Sequence, residues 1–92
     1  MSKLRVAVIG VGHLGKIHAR LLRGVEEAEL VGIVDPVESA RAAVADDLKV
    51  DAFADHRPLI GQIDAAIIAT PTRFHHAVAA ELLGSGIHCL IE

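Results

Sequence analysis

Leu4-Arg5-Val6-Ala7-Val8-Ile9-Gly10-Val11-Gly12-His13-Leu14-Gly15 is the stretch that decides the fold. Its first six residues are apolar apart from Arg5, the composition of a strand covered on both faces. A G-x-G-x-x-G follows at Gly10–Gly15, and helical periodicity begins inside it. Leu14, Ile17, Leu21 and Leu22 stand at i, i+3, i+7 and i+8, with Lys16, Arg20 and Arg23 on the other faces. Such a glycine pattern is weak alone; between a strand and a helix it has a mechanism. Gly10 allows the tight turn, and Gly12 lets the backbone approach a pyrophosphate with no Cβ in the way. Gly15 lets the helix sit close on the strand. The N–H groups around His13 and Leu14 then point at the anion, with the helix dipole adding roughly 1 kcal/mol.

Outward from this unit, apolar runs of strand length alternate with amphipathic ones. Leu30–Val34, Ala65–Ala69 and Ile87–Ile91 read as buried parallel strands, and Val50–Ala54 as a weaker one at a sheet edge. Ala40, Ala43, Val44 and Leu48 form a second helical stripe after Pro36, a good first-turn residue. His75, Val78, Ala79, Leu82 and Leu83 form a third, ended by Gly84 and Gly86. A turn fills Arg57–Gln62. The order β-α-β-α-β-turn-β-α-β predicts an α/β fold, a Rossmann-like parallel sheet with helices on both faces. The expected strand order is 3-2-1-4-5, one strand short of a full six-stranded domain.

Asp35 ends the second strand, 20 positions after Gly15, where a dinucleotide fold needs an acid. A carboxylate there accepts hydrogen bonds from the adenosine ribose hydroxyls. It repels a 2′-phosphate by up to about 4 kcal/mol at 4 Å and an effective dielectric near 20. NAD is therefore favoured over NADP, although a nearby Arg would soften the preference. The plainer reading is that the glycines only shape a turn and Asp35 only caps the next helix.

Composition narrows the classes. The 92 residues carry 9 Lys+Arg against 12 Asp+Glu, so the net charge of −3 offers no footprint for nucleic acid. Two Phe, no Tyr and no Trp leave almost no platform for stacking bases. Stretches free of Lys, Arg, Asp and Glu, such as Val6–Gly15, are too short for a transmembrane helix. Cys89 is the one cysteine; it excludes an intramolecular disulfide and suits the cytoplasm. His13, His18, His56, His75, His76 and His88 show no metal-ligand spacing, so no metal site is expected. His13 contributes its backbone N–H rather than its ring.

Thr70-Pro71-Thr72 follows the fourth strand and so lies at the carboxyl edge of the sheet, where open α/β sheets bind ligands. Thr72 also reads as a cap for the third helix. The glycine loop with His18-Ala19, then Val34-Asp35-Pro36, then Ala69-Thr70-Pro71 with His75 five after Thr70, resembles the Gfo/Idh/MocA oxidoreductase family. The ending Gly86-Ile87-His88-Cys89-Leu90-Ile91-Glu92 is similar to that family's Gly-Lys-His-Val-Leu-Cys-Glu-Lys-Pro segment, stopping at the Glu. The resemblance covers the whole chain and extends to the branch acting on nucleotide-linked sugars.

The resemblance implies the cofactor portion of an NAD(P)-dependent dehydrogenase or reductase that acts on a sugar, cyclitol or related polyol. It implies cleft-lining roles for Pro36, Thr70, Pro71, Thr72 and His75, and a place near the nicotinamide ribose for Glu92. Thr72 stands where Asn is usual and Ile87 where Lys is usual. The Lys that assists proton transfer in the family would follow Glu92, and the substrate domain lies outside these residues. Residues 1–92 are thus expected to form a dinucleotide-binding domain incomplete at its C-terminus, with no catalytic residue of its own and no turnover by itself. The alternatives are a dinucleotide-binding or redox-sensing module without chemistry, and an assembly unit with a vestigial nucleotide loop. With order 3-2-1-4-5, Ile87–Ile91 becomes an exposed apolar edge, which predicts homo-oligomers.

Overall fold

The computed structural model describes residues 3–70 and 75–91 in full and the backbone of 72–74. Five parallel strands, β1 Leu4–Ile9, β2 Ala28–Val34, β3 Asp51–Phe53, β4 Ala65–Ile68 and β5 His88–Ile91, form one sheet in the order β3-β2-β1-β4-β5. Helices α1 His13–Arg23, α2 Glu38–Leu48 and α3 Thr72–Gly84 connect them, with a single 3-10 turn at Arg57–Leu59 between β3 and β4.

Alternation along β1 shows how the two faces are built. Val8 points into a cluster with Val11, Ala19 of α1, Leu30, Ile33 and Val44 of α2. Ala7 and Ile9 point the other way, into a cluster with Leu59, Ile63, Ala66, Ile68, and Ala79 and Leu82 of α3. Residues two apart share a face of a strand, so one buried strand feeds both cores. Burying side chains such as Ile33, Leu59 and Leu82 stabilises the fold by about 1.5–3 kcal/mol each.

Three details depart from the periodicity. Leu14, Ile17 and Leu21 of α1 are exposed, at 56%, 40% and 64%, while Gly15 and Ala19 face the sheet. The small residues let α1 approach the strands closely, and that close packing turns three of the four stripe residues outward while Leu22 stays packed against the core. Ala43 and Leu83 are likewise exposed, leaving Val44, Ala79 and Leu82 as the buried residues of their helices among the described ones. Pro36 stands before α2 rather than in its first turn, because Val37 takes the N-cap position.

Strand bounds shift by one or two residues: β3 begins at Asp51, β4 ends at Ile68 and β5 begins at His88. β5 is the least covered strand, with Leu90 at 57% and Ile91 at 47% exposure.

Polar side chains also tie the 3-10 turn to α3. His56, buried, places Nε2 3.0 Å from Glu81 Oε2, and Arg57 Nε donates to Glu81 Oε1 at 3.0 Å. Arg57 also donates to Asp55 through its backbone N–H and its guanidinium, at 2.8 and 2.6 Å. No described helix is long and apolar enough to cross a membrane.

Candidate functional site

Strand order reverses at β1, whose neighbours β2 and β4 leave for opposite edges. A crevice outside the carboxyl ends of the strands follows from such a reversal. Three connections meet there. Gly10 N–H donates to Val34 O at 2.7 Å, and Ala69 N–H donates to Ile9 O at 2.8 Å, so the ends of β2, β1 and β4 are laced together.

The three glycines do different things. Gly10 has φ +92°, and a Cβ on it would press within 2.8–2.9 Å of the Ala69–Thr70 peptide. A Cβ on Gly15 would fall onto the Gly10 carbonyl, so the first turn of α1 rests on the loop itself. A Cβ on Gly12 would meet nothing within 4 Å. Gly12 therefore borders open space, and it also caps α1 without a side-chain acceptor. The first-turn N–H groups of a helix have no intrahelical acceptor. Here they open beside a residue position kept bare of side chain.

Asp35 is fixed at the rim of this space. Its carboxylate accepts Val11 N–H at Oδ2 (3.0 Å) and Val37 N–H at Oδ1 (2.9 Å), its backbone N–H donates to Phe53 O (3.0 Å), and its carbonyl accepts from Arg41 (3.2 Å). Each carboxylate oxygen holds one backbone donor and keeps lone-pair capacity for another. The carboxylate thus fixes the turn ahead of α2, whose N-cap is Val37 and which has no side-chain cap, while keeping acceptor capacity free. Pro36 sits beside it, its carbonyl also taken by Arg41 at 3.2 Å.

On the β4 side, the Thr70 hydroxyl is buried and has no hydrogen-bond partner among the described residues. A buried polar group left unpaired costs roughly 1–3 kcal/mol. His75 on α3 reaches back to the Thr70 carbonyl with Nε2 at 2.6 Å; because a carbonyl only accepts, Nε2 carries the proton. Gly10, Gly12, His13, Leu14, Gly15, Asp35, Pro36, Thr70 and His75 all stand at the carboxyl end of the sheet. The side chain of Thr72, and Pro71 and Glu92 altogether, lie outside the described residues. Arg41 was not singled out by the sequence; its six-residue separation from Asp35 carries no motif, and only the fold brings it to the rim.

The crevice thus combines backbone donors at a helix start, an open position at Gly12 and a carboxylate fixed at its rim. Far from it, at the amino ends of β1–β3, lies a polar hollow of about 510 Å³ lined by Lys3, Arg23, Glu26, Glu29, Lys49 and Asp51 among others. It shares no residue with the crevice. Cys89 is half-buried on β5, and desolvation pushes its thiol pKa up, which makes it a poor nucleophile. Among the described residues no three His, Cys, Asp or Glu side chains are grouped to hold a metal ion.

Comparison with known proteins points the same way. The family model for the oxidoreductase family with an NAD-binding Rossmann fold (GFO_IDH_MocA) matches residues 4–92. UDP-N-acetylglucosamine 3-dehydrogenase of Acidithiobacillus ferrooxidans is 41% identical over 92 residues, which are 100% of this chain and 29% of that protein. Its structure superposes with a TM-score of 0.89 over 99% of this chain and 29% of that one. The scyllo-inositol 2-dehydrogenase (NAD(+)) of Bacillus subtilis is 32% identical over 98% of this chain and 28% of its own length. The Lactobacillus casei scyllo-inositol dehydrogenase with bound NAD(H) and scyllo-inositol gives a TM-score of 0.89 at 26% identity, over 98% of this chain and 28% of that one. The chain spans less than a third of the length of these relatives. A family match from the first strand to the last residue, on a sheet that carries the expected glycine loop and acid, assigns this chain to the Gfo/Idh/MocA oxidoreductases as an NAD-binding Rossmann domain.

Proposed function

We propose that residues 1–92 are the cofactor-holding part of a dehydrogenase that moves hydride between NAD and a hydroxyl-bearing carbon of a sugar, cyclitol or nucleotide-linked sugar. The observation that carries this is the Asp35 carboxylate, held by Val11 N–H and Val37 N–H next to the open Gly12 position. Bound there, NAD supplies the hydride acceptor. The chain's own residues hold it: the first-turn N–H groups of His13 and Leu14 face the pyrophosphate, and Asp35 and Pro36 border the adenosine ribose. Thr70, Pro71, Thr72 and His75 wall the opposite side, with Glu92 toward the nicotinamide ribose. The substrate class rests on the names of the relatives, which act on UDP-N-acetylglucosamine and on inositols.

Hydride transfer from an alcohol also needs a group that takes the hydroxyl proton. Among the described residues no element forms a second wall over the crevice to seat a substrate. These 92 residues therefore bind dinucleotide without turning over a polyol by themselves, and the place of work is the cytoplasm. The exposed apolar strand β5, with Leu90 and Ile91 at the sheet margin, is a surface for homo-oligomer contact.

Titrating NADH and NADPH into the chain, followed by nicotinamide fluorescence, tests the assignment. Saturable NADH binding that exceeds NADPH binding is expected. Asp35→Asn should weaken NADH and bring the two affinities together, by up to about 2 kcal/mol once solvent screening reduces the repulsion. An unchanged NADH/NADPH ratio in that variant would remove Asp35 from the reading.

A further inference from the structure

Arg41 is a cation bonded to the Asp35 turn, and the bonds it makes there are to backbone. Its Nη1 lies 3.2 Å from the Asp35 carbonyl and 3.2 Å from the Pro36 carbonyl, so both hydrogens of that nitrogen are committed. Its own backbone N–H donates to Val37 O at 3.1 Å, placing it one turn into α2. The side chain thus bridges the first turn of α2 back to the end of β2, across the residue whose carboxylate faces the crevice.

That bridge closes a ring of constraints. Phe53 O fixes the Asp35 N–H, Arg41 fixes its carbonyl, and Val11 and Val37 N–H fix the two carboxylate oxygens. Three of those four partners are backbone groups that no ordinary substitution removes. Arg41 is the one side chain in the set, and charge-assisted bonds are the stronger kind. Without it the Asp35-Pro36 turn keeps one fewer anchor, and the carboxylate has more orientations open to it.

From this geometry we propose that Arg41 is a positioning residue for cofactor choice: it holds the Asp35 carboxylate at the ribose rim and so sharpens the preference for NAD over NADP. The inference rests on the dinucleotide reading above. Its sign is unusual for a cation near a ribose. A guanidinium that reads a 2′-phosphate favours NADP, whereas this one, with Nη1 on two backbone carbonyls, favours NAD through the acid it steadies.

The test measures NADH and NADPH dissociation constants for the 92-residue chain and for Arg41→Gln, Arg41→Lys, Asp35→Asn and the double variant Asp35→Asn/Arg41→Gln, with a thermal melt of each. Arg41→Gln should weaken NADH about three- to tenfold and NADPH by less, so the preference for NADH shrinks. Arg41→Lys should shift the preference the same way by a smaller factor. In the Asp35→Asn background Arg41→Gln should no longer change the ratio, because the two residues act as one unit. Greater loss of NADPH than NADH, an unchanged ratio, or an undiminished effect in the Asp35→Asn background would overturn the proposal. If the melt shows that Arg41→Gln does not fold, the Arg41→Lys ratio decides by the same signs. A wild-type chain that binds neither dinucleotide would instead overturn the cofactor reading, and this inference with it.

Discussion

The β1–β2 half of the sheet and the β4–β5 half use the same strand-loop-helix grammar and finish differently. At the carboxyl ends of β1 and β2, the backbone is laced by Gly10 N–H to Val34 O, and Asp35 is bonded at four points. Both faces of those strands are covered, by α1 and α2 on one side and by α3 and the Leu59 turn on the other. At the β4 end one hydroxyl, Thr70 Oγ1, is buried without a partner among the described residues, and β5 leaves three of its four residues exposed. The first half is already organised for a nucleotide. The second half leaves its outer strand bare.

Within the first half, the glycine loop gives the largest test of that contrast. Gly15→Ala puts a methyl onto the Gly10 carbonyl, so helix and loop must separate; a loss of roughly 3 kcal/mol or more is expected. Gly12→Ala puts its methyl into open space and should cost under about 1 kcal/mol. Denaturant melts measure both, and NADH titration adds the complement: Gly12→Ala should keep the fold and lose most of its affinity. Equal stability losses at the two positions would mean that the loop's glycines serve only the turn.

How much of this was legible in the sequence follows from what each signal depends on. Strand order and crossover sense rest on alternation of long elements and on handedness, which are local and strong; the order 3-2-1-4-5 was readable for that reason. The loop glycines and Asp35 were readable because their spacing reflects one backbone path from β1 through α1 to β2. The outward turn of Leu14, Ile17 and Leu21 was not. Apolar periodicity marks a stripe without saying which stripe the sheet takes, and Gly15 and Ala19 took it because small residues permit closer packing. Arg41 was invisible for another reason: its bonds are to carbonyls, and a carbonyl leaves no mark on a sequence. The His56–Glu81 contact, 25 residues apart, is likewise a product of the fold alone.

Strand β5 gives the next prediction, of intermediate size. Leu90→Lys places a charge on an apolar margin strand, a device natural edges use against pairing. Leu90 is already 57% exposed, so the melt should shift by less than about 1 kcal/mol. Sedimentation velocity at rising concentration should show the wild-type chain associating and Leu90→Lys remaining monomeric. Monomers of both at every concentration would show that β5 is not a self-association surface.

The smallest effect should come from acid. Asp64 accepts the Arg5 backbone N–H at 2.9 Å and two guanidinium contacts at 3.3–3.4 Å, and the backbone bond is the main reason its carboxyl titrates below the usual range. Asp55 is lowered chiefly by the Arg57 backbone N–H, helped by the charges of Arg57 and His56. A carboxyl whose pKa is depressed on folding stabilises the fold above its unfolded value, near 3.9, and that contribution is lost as pH falls through the folded value. Stability should therefore hold level from neutral pH to about 5 as far as these two groups are concerned, then decline below about 4. Asp64→Asn should remove part of the acid slope while barely changing the neutral melt, because the pair is solvent-exposed. Asp55→Asn should do the same on the opposite side of the comparison, where the Arg57–Glu81 bond remains to hold the turn against α3. An acid slope that both variants leave intact would place the titrating groups elsewhere.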